Sequence, residues 1–360
     1  MSTPRGPALP DMTAMPPEPP EAIDDTSELD AFLTRPRPVL VDFIRTMSGP
    51  LVVLGAGGKM GPTLCVLAKR AADQANHRLG VIAVSRFSDE ESRRWLEVNG
   101  VATYKADLLN AQSLSGLPEA KEVLYLVGLK FGTTRNPVAT WATNTIVPAR
   151  VAERYSQARF VALSTGNVYP PVPVASGGAR EDNALTPLGE YANSAVARER
   201  IFQHFSMAQG TPVALMRLNY AVELRYGVLV DIARKVMAGE PIDLSNGWFN
   251  CVWQGDANEM ILRALALSSS PAVSWNLTGP APFRVRAVAE RLGELLSRSP
   301  RFTGHESEAA LLSNASKLCA VLGPPPTSLE AVLRWTAHWV SRKGAYLQRP
   351  THFEIRNGQY

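Results

Sequence analysis

Cysteine is scarce in this chain. Cys65, Cys251 and Cys319 stand far apart, odd in number, with no CxxC pair and no metal-ligand spacing. That excludes a disulfide framework, leaves no metal site to expect, and fits reduced, buried thiols of a cytoplasmic protein. Long apolar runs are missing too: nothing approaches the ~20 residues needed to cross a bilayer. The first residues, MSTPRGPALPDMTAMPPEPPEAIDD, lack a basic-then-apolar leader pattern. Their Pro-rich, acidic composition reads as a disordered or loosely draped arm. Charge of one sign is not in large excess, with 37 Lys and Arg against 33 Asp and Glu and a net charge of +4. The basic residues are scattered, and no Lys/Arg block alternates with aromatics, so nucleic acid is not an expected partner. Neither is a membrane. There is no internal repeat. A small-molecule substrate is the expected partner, with a homodimer as an option.

What is present is an alternation. After two short N-terminal helices (TSELDAFLTRP, where Thr26 or Ser27 would cap, and PVLVDFIRTM) comes an apolar strand, Leu51 to Leu54, then a glycine turn and a helix with apolar spacing. GVIAVSRF, ATYKADLL, EVLYLVG and RFVALSTGNVYP read as further strands, separated by helices that include TWATNTIVPARVAERY. GEYANSAVARERIFQHFSMAQ and TPVALMRLNY continue the rhythm. Short apolar strands alternating with helices predict an α/β fold with a doubly wound parallel sheet. From about residue 220 the segments become mainly amphipathic helices. The expected organisation is therefore an arm and short helices over 1–48, a dinucleotide-binding domain of Rossmann type over 49–220, and a smaller, mostly helical substrate lobe over 221–343. Some lobe segments would return to the sheet, and a tail follows over 344–360.

The stretch GAGGKMG places Gly55, Gly58 and Gly61 three apart, between a strand and a helix, with Gly57, Lys59 and Met60 between them. Glycine allows the tight turn and lets the backbone approach a pyrophosphate resting on the helix N-terminus. A second strand about 20 residues on supplies the context that a lone glycine pattern lacks. An acidic residue at the end of that strand would hold the ribose 2′-hydroxyl of NAD. Ser85-Arg86 stands there instead, so NADP is slightly favoured over NAD. Arg86 would meet a 2′-phosphate, although stacking on adenine or a solvated position with NAD bound stays open. Asp107, with Leu108 after it, has the strand-end position from which an adenine amino group is contacted, and an ordinary strand-end aspartate is the alternative.

These pieces resemble the extended short-chain dehydrogenase/reductase family, the NAD-dependent epimerases and dehydratases of UDP-galactose 4-epimerase type. The glycine spacing is theirs. VGLKFG is similar to their cofactor-facing AGLKxxG stretch, which puts Lys130 beside the dinucleotide, and Asn144 falls where the family has a site-shaping asparagine. VALSTGNVYP resembles S-S/T-x-x-V-Y-G, and EYANSAVARER resembles YGxSKxxxE. RLNYAVELRYGVL, NCVWQGDANEMILRAL, WNLTGP and LLSNASKLCAVLG follow in the family's order, so the resemblance spans roughly residues 50 to 340.

The resemblance implies an NAD(P)-dependent oxidoreductase or epimerase acting on a hydroxyl or keto group of a sugar-like or polyol-like substrate. Tyr191 would be the acid/base, with Ser164 and Thr165 orienting the substrate. The alternatives are a catalytically weak dinucleotide-binding sensor or a non-redox lyase. The departure is Ala195, where the family's lysine would sit one turn after Tyr191, on the same helix face. Lys130 is the named candidate to replace its charge, and a phosphate or ribose contact is its plainer role. Arg198, seven residues after Tyr191, is expected to face away or to hold an acid. Asn167, Tyr169, Asn219, Asn250 and Trp253 are candidate substrate contacts. Arg225 would grip an anionic group or pack on Tyr226.

Overall fold

The computed structural model describes residues 19–130, 132–347, 351, 353 and 354. The expected arm, up to residue 18, and most of the tail lie outside the described residues.

Seven parallel strands make the central sheet: β1 Leu51–Leu54, β2 Val81–Ser85, β3 Ala102–Lys105, β4 Glu122–Tyr125, β5 Arg159–Thr165, β6 Val213–Leu218 and β7 Val273–Leu277. Their spatial order is β7-β6-β5-β4-β1-β2-β3. The chain winds outward from β1 through β2 and β3, then from β4 to β7 on the other side. The reversal between β1 and β4 opens a crevice at the strands' C-terminal ends. β7 comes from the expected lobe and pairs with β6 from Val273↔Ala214 to Leu277↔Leu218.

Residues in β1 show why the sheet needs two covering layers. Leu51 and Val53 enter the apolar core on one face, and Val52 and Leu54 enter the core on the other. All four are fully buried, as expected of a parallel strand whose side chains alternate between two helix layers. After α1 Thr26–Leu33, which lies off the sheet, the first layer includes α2 Pro38–Ile44 and α3 Gly61–Gln74. On the sheet's flank and far face follow α4 Glu90–Val98, α5 Ala111–Ser115, α6 Pro137–Trp141, α7 Val147–Arg154 and the long α8 Gly189–Gln209. The remaining helices are α9 Val228–Ala238, α10 Gln254–Arg263, α11 Val285–Leu296, α12 Ser316–Leu322 and α13 Leu329–Ser341.

Two local outcomes differ from the sequence reading. Asp25, rather than Thr26 or Ser27, caps α1, accepting the Glu28 N–H at 2.9 Å. The single helix expected over TWATNTIVPARVAERY is α6, a π-helical turn Ala142–Ile146 and α7. Pro148 explains the widening. It has no N–H for the Asn144 carbonyl, and its ring crowds that carbonyl in a regular α-helix.

The N-terminal helices join the two cores. Leu29 and Leu33 of α1 pack into the lobe core, while Leu40, Val41 and Ile44 of α2 pack against the sheet layer. Arg37 grips Glu259 of α10 through both carboxylate oxygens, and Arg225 pairs with Asp30 at 3.0 Å. Ile23 is buried in the lobe core, and the Pro20 carbonyl accepts the Trp335 indole N–H at 2.7 Å.

Candidate functional site

A cavity of about 250 Å³ lies at the β1/β4 reversal, walled by the glycine loop, the ends of β4, β5 and β6, and the start of α8. Its floor is a backbone fitted too closely for side chains. Gly55 has φ +85°, and a Cβ there would fall 2.9 Å from the Val127 nitrogen on the neighbouring strand end. A Cβ on Gly61 would fall 2.3 Å from the Ala56 carbonyl oxygen. No side chain caps the start of α3, so its first N–H groups are available to an anion.

Lys59 reaches from the loop to the far wall, donating to the Ala221 carbonyl at 2.7 Å with its ammonium 4.2 Å from the centre of the Tyr226 ring. Burial brings Lys59 down to about 7, opposed by Glu223 and reinforced by Lys130. Burial also brings Lys130 down to about 8. Both lysines line the cavity, as do Gly58, Met60, Asn167 and Asn219. Tyr191, at the start of α8, shares it with Ser164 and Thr165 from the end of β5. The Thr165 hydroxyl contacts Asn167 Oδ1 at 3.1 Å. The Ser164 hydroxyl donates to Glu199.

Glu199 belongs to a buried network. It accepts from Arg217 Nη2 at 2.7 Å and from Arg217 Nε at 3.0 Å. Arg217 Nη1 donates to the Tyr169 hydroxyl at 2.6 Å, and that hydroxyl donates to Asn276 Oδ1 at 2.8 Å. Burial pushes Tyr169 up to about 12, against the pull of Arg217. Burial also works against the Arg217 charge, but the hydrogen bonds it donates to Glu199 and the carboxylate's charge hold Arg217 above the ordinary value. This network fixes the ends of β5 and β6 to α8, and with them the position of Ser164.

Other candidates fall outside the cavity lining. Gly57 backs the loop, where a Cβ would sit 2.7 Å from Ser85 Oγ. Arg86 and Asp107 are exposed at strand ends, and Asp107 accepts the Leu109 N–H at 3.0 Å. Leu108 is a core residue. Asn144 is fully buried, bonded to the Leu129 N–H at 3.1 Å and to Ser194 Oγ at 2.8 Å, so it ties the π-helical turn to the loop after β4 and to α8. Tyr169 sits within the buried network. Asn250 accepts from Asn219 at 2.9 Å and donates to the Ser313 carbonyl at 2.6 Å. Trp253 packs against Phe32 and Trp335, which also touch each other. Arg225 is engaged by Glu223 and Asp30, both at 3.0 Å.

Several lining residues escaped the sequence reading. Tyr220 and Tyr226 lie in the connection after β6, while Leu347 and Thr351 come from the tail, beyond any recognisable motif. Arg198, expected to face away or to hold an acid, lines the cavity. Its spacing carried the signal, since seven residues bring a helix through two turns to the same face. The buried Arg217 also had a signal, a lone charge in the apolar strand VALMRL. Ala195 is fully buried against Val168, Tyr169 and Ala179, so the family's lysine position is filled by packing.

A model of the NAD dependent epimerase/dehydratase family matches residues 51–270. This chain belongs to that family. The matched span runs from β1 to just before β7, and so includes the whole cavity floor. No curated protein matches. Among solved structures, UDP-glucuronic acid 4-epimerase from Bacillus cereus in complex with NAD superposes with a TM-score of 0.67 at 16% identity, covering 81% of this chain and 96% of that one. UDP-glucose 4-epimerase of Thermus thermophilus, complexed with NAD, gives 0.64 at 19% identity, over 80% and 97% of the two chains. The UDP-Glc/GlcNAc 4-epimerase of Campylobacter jejuni gives 0.66 at 16% identity, over 82% and 100%. These superpositions establish the shared fold.

Proposed function

We propose that this epimerase/dehydratase family member binds a nicotinamide dinucleotide on its glycine loop and transforms a hydroxyl or keto group of a sugar-like or polyol-like substrate. The observation that carries this is the meeting in one crevice of Tyr191, Thr165 and the cradle of Gly55, Gly58 and Gly61. The cradle fits the cofactor. Its turn excludes side chains where a pyrophosphate would lie, the start of α3 is uncapped, and Lys59 and Lys130 supply positive charge. When bound, the nicotinamide would supply the hydride acceptor and donor.

Tyr191 is the group that takes the proton from a substrate hydroxyl and returns it to the developing alkoxide. Thr165 directs its hydroxyl to the substrate oxygen. Ser164, whose proton is committed to Glu199, offers its lone pairs to the crevice. Asn167 and Asn219 provide further polar groups along the same wall. Between the two dinucleotides the supports differ. Two solved neighbours carry NAD, while exposed Arg86 at the end of β2 offers a guanidinium to a 2′-phosphate. A second reading, dinucleotide binding without turnover, draws on Ala195 occupying the lysine position in a packed apolar setting.

The test uses the purified full chain. UDP-glucuronic acid, UDP-glucose and a panel of polyols are offered with NAD and with NADP, and reduced nicotinamide and epimerised product are followed. Tyr191→Phe is expected to lower turnover by about 10²- to 10⁴-fold while leaving dinucleotide affinity intact. Full activity in Tyr191→Phe would sink the acid/base assignment. Tight dinucleotide binding with no hydride transfer across the panel would favour the second reading.

A further inference from the structure

We propose that Arg198 is the fixed cation of this site, positioned to stabilise negative charge on the Tyr191 oxygen in place of the lysine that Ala195 replaces. The proposal rests on the assignment of Tyr191 as the acid/base.

The geometry carries it. Arg198 stands two turns after Tyr191 on α8, and both side chains line the crevice. Helical side chains lean toward the N-terminus, so a long one covers the turn before its own Cα. The guanidinium of Arg198 does so. Its Nη1 donates to the Val127 carbonyl at 3.2 Å and lies 3.5 Å from Asn144 Oδ1. The same Asn144 donates to Ser194 Oγ at 2.8 Å, and Ser194 Oγ donates to the Tyr191 carbonyl at 2.9 Å. Asn144 therefore sits against both the guanidinium and Ser194, the residue before Ala195, and brings the charge back toward the turn that begins at Tyr191.

The pocket for the guanidinium is built. The guanidinium lies close against the backbone of Gly128, where a Cβ would fall 2.8 Å from Nη1. Arg198 is 4% exposed, and among the described residues no carboxylate takes it up. Glu199, its neighbour in sequence, is committed to Arg217. The Arg198 Nε is buried with no hydrogen-bond partner among the described residues. A buried, uncompensated guanidinium is costly to keep, and it is held beside a crevice where negative charge would develop. It also differs chemically from a lysine, because a guanidinium keeps its proton at every working pH. Lys59 and Lys130 face the same crevice, but burial brings both into the range where they titrate.

The test reads the tyrosine directly, without cofactor or substrate. An alkaline titration of tyrosinate absorbance is recorded for the full chain and for Tyr191→Phe, and the difference isolates Tyr191. The charged and titratable groups that line the crevice with it are Lys59 on the glycine loop, Lys130 after β4, Arg198 on α8, and Tyr220 and Tyr226 after β6; behind them lie Glu199, on the Ser164 hydroxyl, and Tyr125, beside Arg198. Glu190, also on α8, is held by the Trp141 indole. All but Arg198 are unchanged between the paired samples. Arg198→Met is expected to move the Tyr191 transition upward by about one pH unit or more, a tenfold change in that equilibrium, and Arg198→Lys to restore most of it. An Arg198→Met transition at the same pH as the parent overturns the proposal, as does an Arg198→Lys that behaves like Arg198→Met. Turnover of Tyr191→Phe is measured separately. Full activity there removes the acid/base reading, whereas an unmoved transition in Arg198→Met removes only the role of Arg198.

Discussion

Dinucleotide affinity should depend steeply on pH, because the two lysines that line the crevice beside the glycine loop are half-buried and partly desolvated. Lys59 is brought down to about 7 and Lys130 to about 8, each from an ordinary value of 10.5. A pyrophosphate bound on the loop favours their protonated forms, so binding takes up protons wherever the free site lacks them. The sign follows. Below about pH 7 both lysines are already charged, and affinity has its full value. As pH rises through 7 and then 8, each must be protonated at the moment of binding, and each weakens affinity by up to about tenfold per pH unit. Between about pH 6.5 and pH 9 the upper limit is about two decades from Lys59 and one from Lys130. Partial solvent screening and the Ala221 carbonyl already beside Lys59 reduce this, so we expect NAD to bind about 10- to 100-fold more weakly at the alkaline end. Calorimetric titration with NAD in two buffers of different ionisation enthalpy gives both the affinity and the protons taken up. Lys59→Met should lower affinity at about pH 6.5 and flatten the profile above pH 7. An affinity constant across the range, or proton release on binding, would refute the placement of these lysines against the cofactor's charge.

Removing one partner of the buried Glu199–Arg217 pair should be severe. Glu199→Gln leaves the guanidinium uncompensated and is expected to cost about 3–5 kcal/mol, read as a lower midpoint in urea unfolding. Asp256 is pushed up to about 6 by burial, so its folded form resists ionisation. The resulting penalty of about 3 kcal/mol is absent below its unfolded value near 4, grows as pH rises toward 6 and is complete above that. Asp256→Asn, whose side-chain oxygen still accepts the Thr327 N–H, should therefore raise the melting temperature at neutral pH and leave it unchanged at about pH 4. Arg86→Ala should weaken NADP binding about tenfold or more and leave NAD binding unchanged if Arg86 meets the 2′-phosphate. Equal effects on both dinucleotides would assign it to the adenine instead.

Much of this protein was legible in local pattern. Strand β1 is four apolar residues, too short for a helix and flanked by glycine, and α8 begins and ends where its sequence rhythm does. The glycine loop could be read because much of its requirement is local: Gly55 turns at φ +85°, and Gly61 is needed by the approach of the Ala56 carbonyl within one strand-turn-helix unit. Asn144, Tyr169 and Asn250 show the limit. Each is polar and falls in a family motif, which makes it a plausible pocket residue, yet each is consumed by partners 15 to 107 positions away in sequence. Burial in a folded interior obliges a polar group to find a hydrogen bond, and which group supplies it depends on how the elements pack.

The sequence by itself determined the alternation of strands and helices, the glycine turn between β1 and α3, and the placing of Tyr191 at the head of a helix. These depend on periodicity and backbone sterics, which act over a few residues. Only the tertiary structure decided which side chains share the crevice. It turned Arg198 inward beside Gly128, closed Ala195 into a small apolar cluster, locked Arg225 onto Asp30 and Glu223, and brought Leu347 and Thr351 of the tail to the cavity wall. Each of these outcomes depends on groups that packing brings together from distant parts of the chain, and nothing in a local stretch of sequence records which groups those are.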